Sequence, residues 1–145
     1  MTVYDHVLVP TDGSDSSTAA VDEAVAIADE EAATVHFLHG IDEGTEMSAG
    51  ASGMIAPQVT ETLEEEAESA LGDAERRAEA AGVTSNRTIR EGDPHEVIAA
   101  YCDDTDADLV VMGASGRSGL KERLLGSTTD RVVRTVETSM LIARS

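Results

Sequence analysis

A chain of 145 residues with 29 Asp and Glu against 10 Lys and Arg, a formal net charge of −19, is a poor partner for nucleic acid or anionic lipid, which require clustered cations that residues 1–75 lack altogether. Its 41% apolar content with regular periodicity predicts a packed core rather than disorder, and its length suits one domain over 1–145. The remaining meaning of so large a charge is a protein suited to strong salt, where a screening length of about 3 Å at 1 M removes self-repulsion, so a halophilic cytoplasm is the expected home.

His6-Val7-Leu8-Val9-Pro10 is a short apolar run that breaks into Thr11-Asp12-Gly13-Ser14-Asp15, which predicts a strand, a loop and a helix start. From Ser16 to Ala33, Val21, Ala24, Val25 and Ala28 recur at helical spacing among acidic residues. The β-branched and apolar run Thr34 to Ile41 predicts a second strand. Residues 42–57, rich in Gly and Ser, read as a long mobile loop. Helical spacing resumes from Gln58 to Ala81, and Gly82 stands where a terminating glycine belongs.

Val83 to Arg90 is a more polar strand, suited to a sheet edge. Asp93-Pro94-His95-Glu96 is a helix start, with Asp to cap, Pro at the first position and Glu able to reach back; that helix runs to about Thr105. Asp108 to Gly113 is continuously apolar after its first residue, as a central parallel strand should be. Ser127 to Glu137 forms the last helix and Met140 to Arg144 the last strand.

Strands alternating with helices imply right-handed crossovers and a parallel sheet covered on both faces. Ligands of such sheets bind at the carboxyl ends of strands, where the strand order reverses. The first and fourth strands have polar, glycine-containing exits, and an order of 3-2-1-4-5 places those exits side by side.

Five of the ten basic residues, Arg117, Lys121, Arg123, Arg131 and Arg134, fall within 117–134. They accompany the stretch Gly113-Ala-Ser-Gly116-Arg-Ser-Gly119-Leu-Lys-Glu-Arg-Leu-Leu-Gly126-Ser127-Thr128. Glycines let backbone N–H groups approach phosphate oxygens, and Ser127 and Thr128 offer hydroxyls at a helix N-terminus that favours an anion. The bland alternative is that Gly113 and Gly116 only form a turn and that Ser127 only caps a helix, with Asp130 completing a Ser-x-x-Asp box. The joint occurrence of these features with half of the basic residues favours a phosphate cradle.

Neither the P-loop pattern nor G-x-G-x-x-G is present. Gly113, Gly116, Gly126 and Ser127 fit instead the G-x2-G-x9-G-[ST] spacing of universal stress proteins, which the chain also resembles in Val9-Pro10-Thr11-Asp12-Gly13-Ser14, in Leu38-His39-Gly40-Ile41-Asp42 and in Asp106 to Gly113. The resemblance covers nearly the whole chain and implies a five-stranded doubly wound fold of the adenine-nucleotide α-hydrolase-like kind. It implies that Pro10, Thr11 and Asp12 meet the adenosine end of ATP and that backbone near Gly40 and Ile41 lines the adenine. Met112 and the segment Gly113 to Thr128, with Gly116, Arg117, Gly126, Ser127 and Thr128, would hold ribose and phosphates, with Mg²⁺ carried mainly through the phosphates. Ser115 and Gly40 depart from the family pattern, which commonly has Arg or His and an aliphatic residue at these positions.

Asp12 also has a role read from chemistry alone: a carboxylate at the exit of a central strand can accept hydrogen bonds from ribose hydroxyls or the adenine amino group, or it can simply organise the turn. His36 and His39, three apart on a strand, face opposite ways and do not suit a shared metal. Cys102, the lone cysteine, can make neither an internal disulfide nor a thiolate zinc site. No stretch of about 18 apolar residues exists to span a bilayer, and the N-terminus lacks the basic start of a secretory signal.

No residue is a committed nucleophile, so a nucleotide-binding regulatory or stress-response protein is expected rather than a dedicated ATPase, with slow hydrolysis or adenylate transfer as enzymatic alternatives. The rival of a different class keeps the fold, binds no ATP and acts through its dimer surface. An apolar edge strand at Met140-Leu141-Ile142-Ala143 should not be left bare, and the family resemblance implies a homodimer through it.

Overall fold

A computed structural model of the protein describes residues 3–41, 56–114 and 125–145. In chain order these form β1 (His6–Pro10), α1 (Asp15–Glu31), β2 (Thr34–Ile41), α2 (Ala56–Ala80), β3 (Ser85–Glu91), α3 (Pro94–Asp104), β4 (Leu109–Gly113), α4 (Ser127–Thr135) and β5 (Ser139–Ala143). The strands make one parallel sheet in the order β3-β2-β1-β4-β5. From β1 the chain steps outward through β2 to β3, then crosses back to β4 and β5 on the other side. The reversal between β1 and β4 opens the crevice in which ligands of doubly wound sheets bind.

The two-residue period of the strands divides the core into two layers. Val7, Val9, Val35, Phe37, Leu109 and Val111 face α1 and α2, where Ala20, Val21, Ala24, Leu71, Ala74 and Ala78 meet them. Leu8, Leu38, Val110 and Met112 face the other way, toward Ile98, Tyr101 and Cys102 of α3 and Val132 of α4. Phe37, Leu8, Leu38 and Leu71 are among the largest side chains with no exposed surface, and burying each is worth about 1.5–3 kcal/mol. Every residue of β4 is buried, as its continuous apolar run predicts. β3 is half exposed at one edge, as its polar sequence predicts. The lone Cys102 is buried.

Local signals account for the helix ends. Ser14 caps α1 by accepting the Ser17 amide, and Asp93 caps α3 by accepting the His95 amide with Pro94 in the first turn. After α2 the Gly82 amide donates to the Glu79 carbonyl and the Val83 amide to Ala78, with Gly82 left-handed at φ +72°. That is a Schellman stop, and it needs glycine at this position.

The last helix begins at Ser127, as the sequence predicts, and the alternative in which Ser127 is only its cap does not hold. The N-cap of α4 is Gly126, without any side-chain capping bond, and Ser127 is already helical. The Ser127-x-x-Asp130 box therefore does not form; Asp130 pairs with Arg134 one turn on, at 3.2 Å. The cause is a tether: the Gly126 amide donates to the Ala114 carbonyl at 2.7 Å, which holds Gly126 in an extended conformation just outside the helix.

Candidate functional site

β1 ends on half-buried Pro10, and the chain turns through buried Thr11 and half-buried Asp12. Thr11 is held on three sides. Its amide donates to the Leu38 carbonyl at 2.8 Å, its carbonyl accepts from His39 Nδ1 at 2.9 Å, and its hydroxyl donates to Ser17 Oγ at 3.3 Å. Asp12 Oδ1 accepts the Ser14 amide at 2.9 Å, closing an Asx turn that leads into α1. The carboxylate thus organises the turn while standing at the exit of a central strand.

The exit of β4 lies beside it. Gly113 packs directly on Ser16 of α1, and its carbonyl accepts the hydroxyl of buried Thr129 at 2.9 Å. Ala114 donates its amide to Ala143 and accepts that of Gly126. These bonds bring the two described ends of the 113–128 segment together and set the first turn of α4 at the carboxyl end of β4. Gly126 is buried, Thr128 half-buried and Ser127 exposed. The N-cap residue Gly126 makes no side-chain capping bond, and a helix N-terminus offers first-turn amides and the positive end of its dipole to an anion. Gly116 and Arg117, together with Lys121 and Arg123, lie outside the described residues. Of the remaining basic residues near the segment, Arg131 and Arg134 are exposed.

β2 ends on exposed Gly40 and buried Ile41, and the Ile41 carbonyl accepts the Gly92 amide from the turn before α3. Among the described residues nothing would lie within 4 Å of a β-carbon on Gly40. Met112, one residue before the β4 exit, is buried against Ile98, Tyr101 and Val132 in the layer under α3 and α4. Among the sequence-predicted residues, Pro10, Thr11, Asp12, Gly40, Ile41, Met112, Gly113, Gly126, Ser127 and Thr128 all fall at or next to the carboxyl ends of β1, β2 and β4.

The histidines divide as strand alternation requires. His36 Nε2 lies 3.1 Å from His6 Nδ1, and its ring meets Tyr101 edge-on, under α3. Burial, and secondarily the neighbouring His6, lowers the His36 pKa. His39 is instead engaged on Thr11. Residues that the sequence did not single out for the site are Ser16, Ser17, His39 and Thr129. Ser16, His39 and Thr129 act by packing on or bonding to backbone of distant segments, and Ser17 accepts the Thr11 hydroxyl, so no local motif marks them.

The parallel strand order, its reversal between β1 and β4, and helices packed on both faces define a doubly wound α/β protein. The model of the universal stress protein family matches residues 3–144. The chain is 34% identical over 142 residues to universal stress protein MJ0531 of Methanocaldococcus jannaschii, covering 98% of this chain and 83% of that one. The solved structure of MJ0577 from the same organism superposes with a TM-score of 0.87 at 29% identity, covering 99% of this chain and 98% of that one. A universal stress protein solved in complex with cAMP superposes with a TM-score of 0.69 at 33% identity, over 97% of each chain. The chain belongs to the universal stress protein family.

Proposed function

We propose that the protein binds an adenine nucleotide, ATP with Mg²⁺ carried on its phosphates, in the crevice between the β1 and β4 exits, and that it works as a nucleotide-binding regulatory protein. The observation that carries this reading is the joining of Gly113 and Ala114 to Gly126 and Thr129, which sets the N-terminus of α4 near the end of β4, at the switch point of the sheet. A concave site with backbone donors and a helix dipole suits phosphate oxygens. The similar structure with bound cAMP supports an adenine nucleotide as the ligand class.

In this reading Pro10, Thr11 and Asp12 meet the adenosine, Gly40 and Ile41 line the base, and Met112 backs the site. Gly113, Gly116, Arg117, Gly126, Ser127 and Thr128 take ribose and phosphates. Among the described residues no three His, Cys, Asp or Glu side chains group to hold a metal, which favours an ion delivered with the phosphates. The whole chain acts as one such domain, in a cytoplasm of high salt. Two copies pair through β5, whose Met140, Leu141 and Ile142 are only half-buried at the sheet edge; light scattering in concentrated KCl tests this, and a clean monomer overturns it.

Purification in concentrated KCl, denaturation and mass spectrometry of released nucleotide test the ligand. ATP in the native protein and none in Gly126→Val supports the cradle. Empty protein that stays empty after soaking with ATP and Mg²⁺ overturns it in favour of an interaction protein that keeps the fold.

A further inference from the structure

We infer that His39 is a positioning residue of the site: it orients the Thr11–Asp12 peptide so that the Asp12 end faces the crevice. This inference rests on the nucleotide reading and goes further by naming what sets the geometry of the adenosine-binding turn.

A carbonyl oxygen can only accept a hydrogen bond, so the 2.9 Å contact between His39 Nδ1 and the Thr11 carbonyl fixes the tautomer that carries its proton on Nδ1. The ring is buried, with 6% of its surface exposed, and it stands on β2, the strand that flanks β1 on the side away from β4. The Thr11 carbonyl therefore points toward β2. No peptide bond in the described chain is cis, and in a trans peptide the N–H points opposite to the C=O. The same bond that pulls the Thr11 carbonyl toward β2 thus turns the Asp12 amide toward the β4 side, where the crevice opens.

Two further tethers make the arrangement depend on His39. The Thr11 amide on Leu38 and the Thr11 hydroxyl on Ser17 fix the position of the residue, but neither fixes rotation of the peptide that follows. Asp12 then commits its Oδ1 to the Ser14 amide, so its backbone and carboxylate move together with that peptide. Removal of the imidazole N–H leaves a buried carbonyl without this donor, and rotation of the peptide toward water is the relief available to it.

Binding of ATP by titration calorimetry in concentrated KCl should weaken by roughly tenfold in His39→Leu, the size of effect expected when one positioned hydrogen bond is lost. His39→Asn, whose side-chain amide places an N–H near the position of Nδ1, should restore most of it. Long-range ¹⁵N–¹H spectra of the unaltered, ligand-free protein should show His39 protonated on Nδ1. Wild-type binding with His39→Leu unaffected, Asn as weak as Leu, or a proton on Nε2 alone overturns the positioning role. A wild-type protein that binds no adenine nucleotide, with the Nδ1 proton in place, overturns the nucleotide reading and the ligand part of this inference with it.

Discussion

Gly113 and Ser16 are in such close contact that no side chain fits between them: a β-carbon on Gly113 would run into Ser16 Oγ and lie 2.6 Å from the Ser16 carbonyl carbon and oxygen. Two of those three atoms belong to the backbone of α1, so the clash cannot be relieved by a rotamer change alone. The first glycine of the phosphate-type motif therefore lets the opening turn of α1 sit against the end of β4. Close strand–helix packing and ligand access share this residue.

Gly113→Ala should accordingly lower stability by about 1–3 kcal/mol, the usual cost of forcing an extra carbon into a packed contact. Urea denaturation in concentrated KCl measures it. Because α1 and β4 would have to separate, ATP binding should fall with stability. An alanine variant of wild-type stability that binds no nucleotide would assign the glycine to ligand approach alone.

Gly40 is the opposite case, with open space where its β-carbon would be. A side chain there meets no clash, and restriction of the unfolded chain by replacing glycine stabilises by about 0.4–1 kcal/mol at a compatible backbone. Gly40→Val should leave thermal stability equal or slightly raised. If Gly40 borders the base as proposed, the added methyl groups should also change the Kd for ATP severalfold by calorimetry; an unchanged Kd would mean that the base lies elsewhere.

The elements and their order were readable because each carries a local signature. Short apolar runs mark β1, β2 and β4, the Asp93-Pro94 start marks α3, and Gly82 marks the end of α2. The juxtaposition of the β1 and β4 exits followed from the reversal rule for doubly wound sheets. The start of α4 at Ser127 is legible in the sequence, but its N-cap, Gly126, is bonded to Ala114, a partner twelve residues away that no local pattern records. The role of Gly113 was read as phosphate approach because the atom it avoids belongs to Ser16, nearly a hundred positions earlier in the chain. For His39 the sequence shows only a place in the Leu38 to Asp42 stretch and poor suitability as a metal ligand, since its partner is a backbone carbonyl, and carbonyls leave no mark in a sequence.

The pair His6 and His36 makes stability depend on pH with a definite sign. Their ring nitrogens lie 3.1 Å apart, close enough to share one proton but not to carry two. The surrounding groups are Tyr101 of α3, Arg90 stacked on the Tyr101 ring and ion-paired with Asp104, and Asp108, whose carboxylate accepts the Asp5 and His6 amides. The His36 pKa is lowered from 6.5 by burial and then by His6. The unfolded chain therefore binds a proton at a pH where the folded one does not, and stability rises with pH across that interval. The contribution is intact above about 6.5 and is lost as pH falls from there through the lowered folded value. Thermal melts from pH 7.5 to 5 should show wild type losing stability relative to His36→Gln. Carboxylate protonation acts on both proteins alike and cancels in the difference; parallel curves would contradict this account.

The net charge of −19 predicts how stability depends on salt. Where Arg77 bridges Asp22 and Asp73, and Arg87 bridges Glu68 and Glu75, carboxylates are compensated across helix and strand. Ten basic residues cannot compensate 29 acidic ones, so most of the surface repels itself and only mobile ions relieve it. The screening length shrinks from about 10 Å at 0.1 M to about 3 Å at 1 M. Melting temperature should therefore rise steeply between 0.1 and 1 M KCl, with each kcal/mol gained appearing as roughly 2–4 °C for a domain of this size, and then flatten once screening is complete. A rise that continues undiminished to 3 M would identify solute exclusion from the surface, rather than charge repulsion, as the source of salt stabilisation. A melting temperature independent of KCl would show that the acidic surface imposes no cost on the fold.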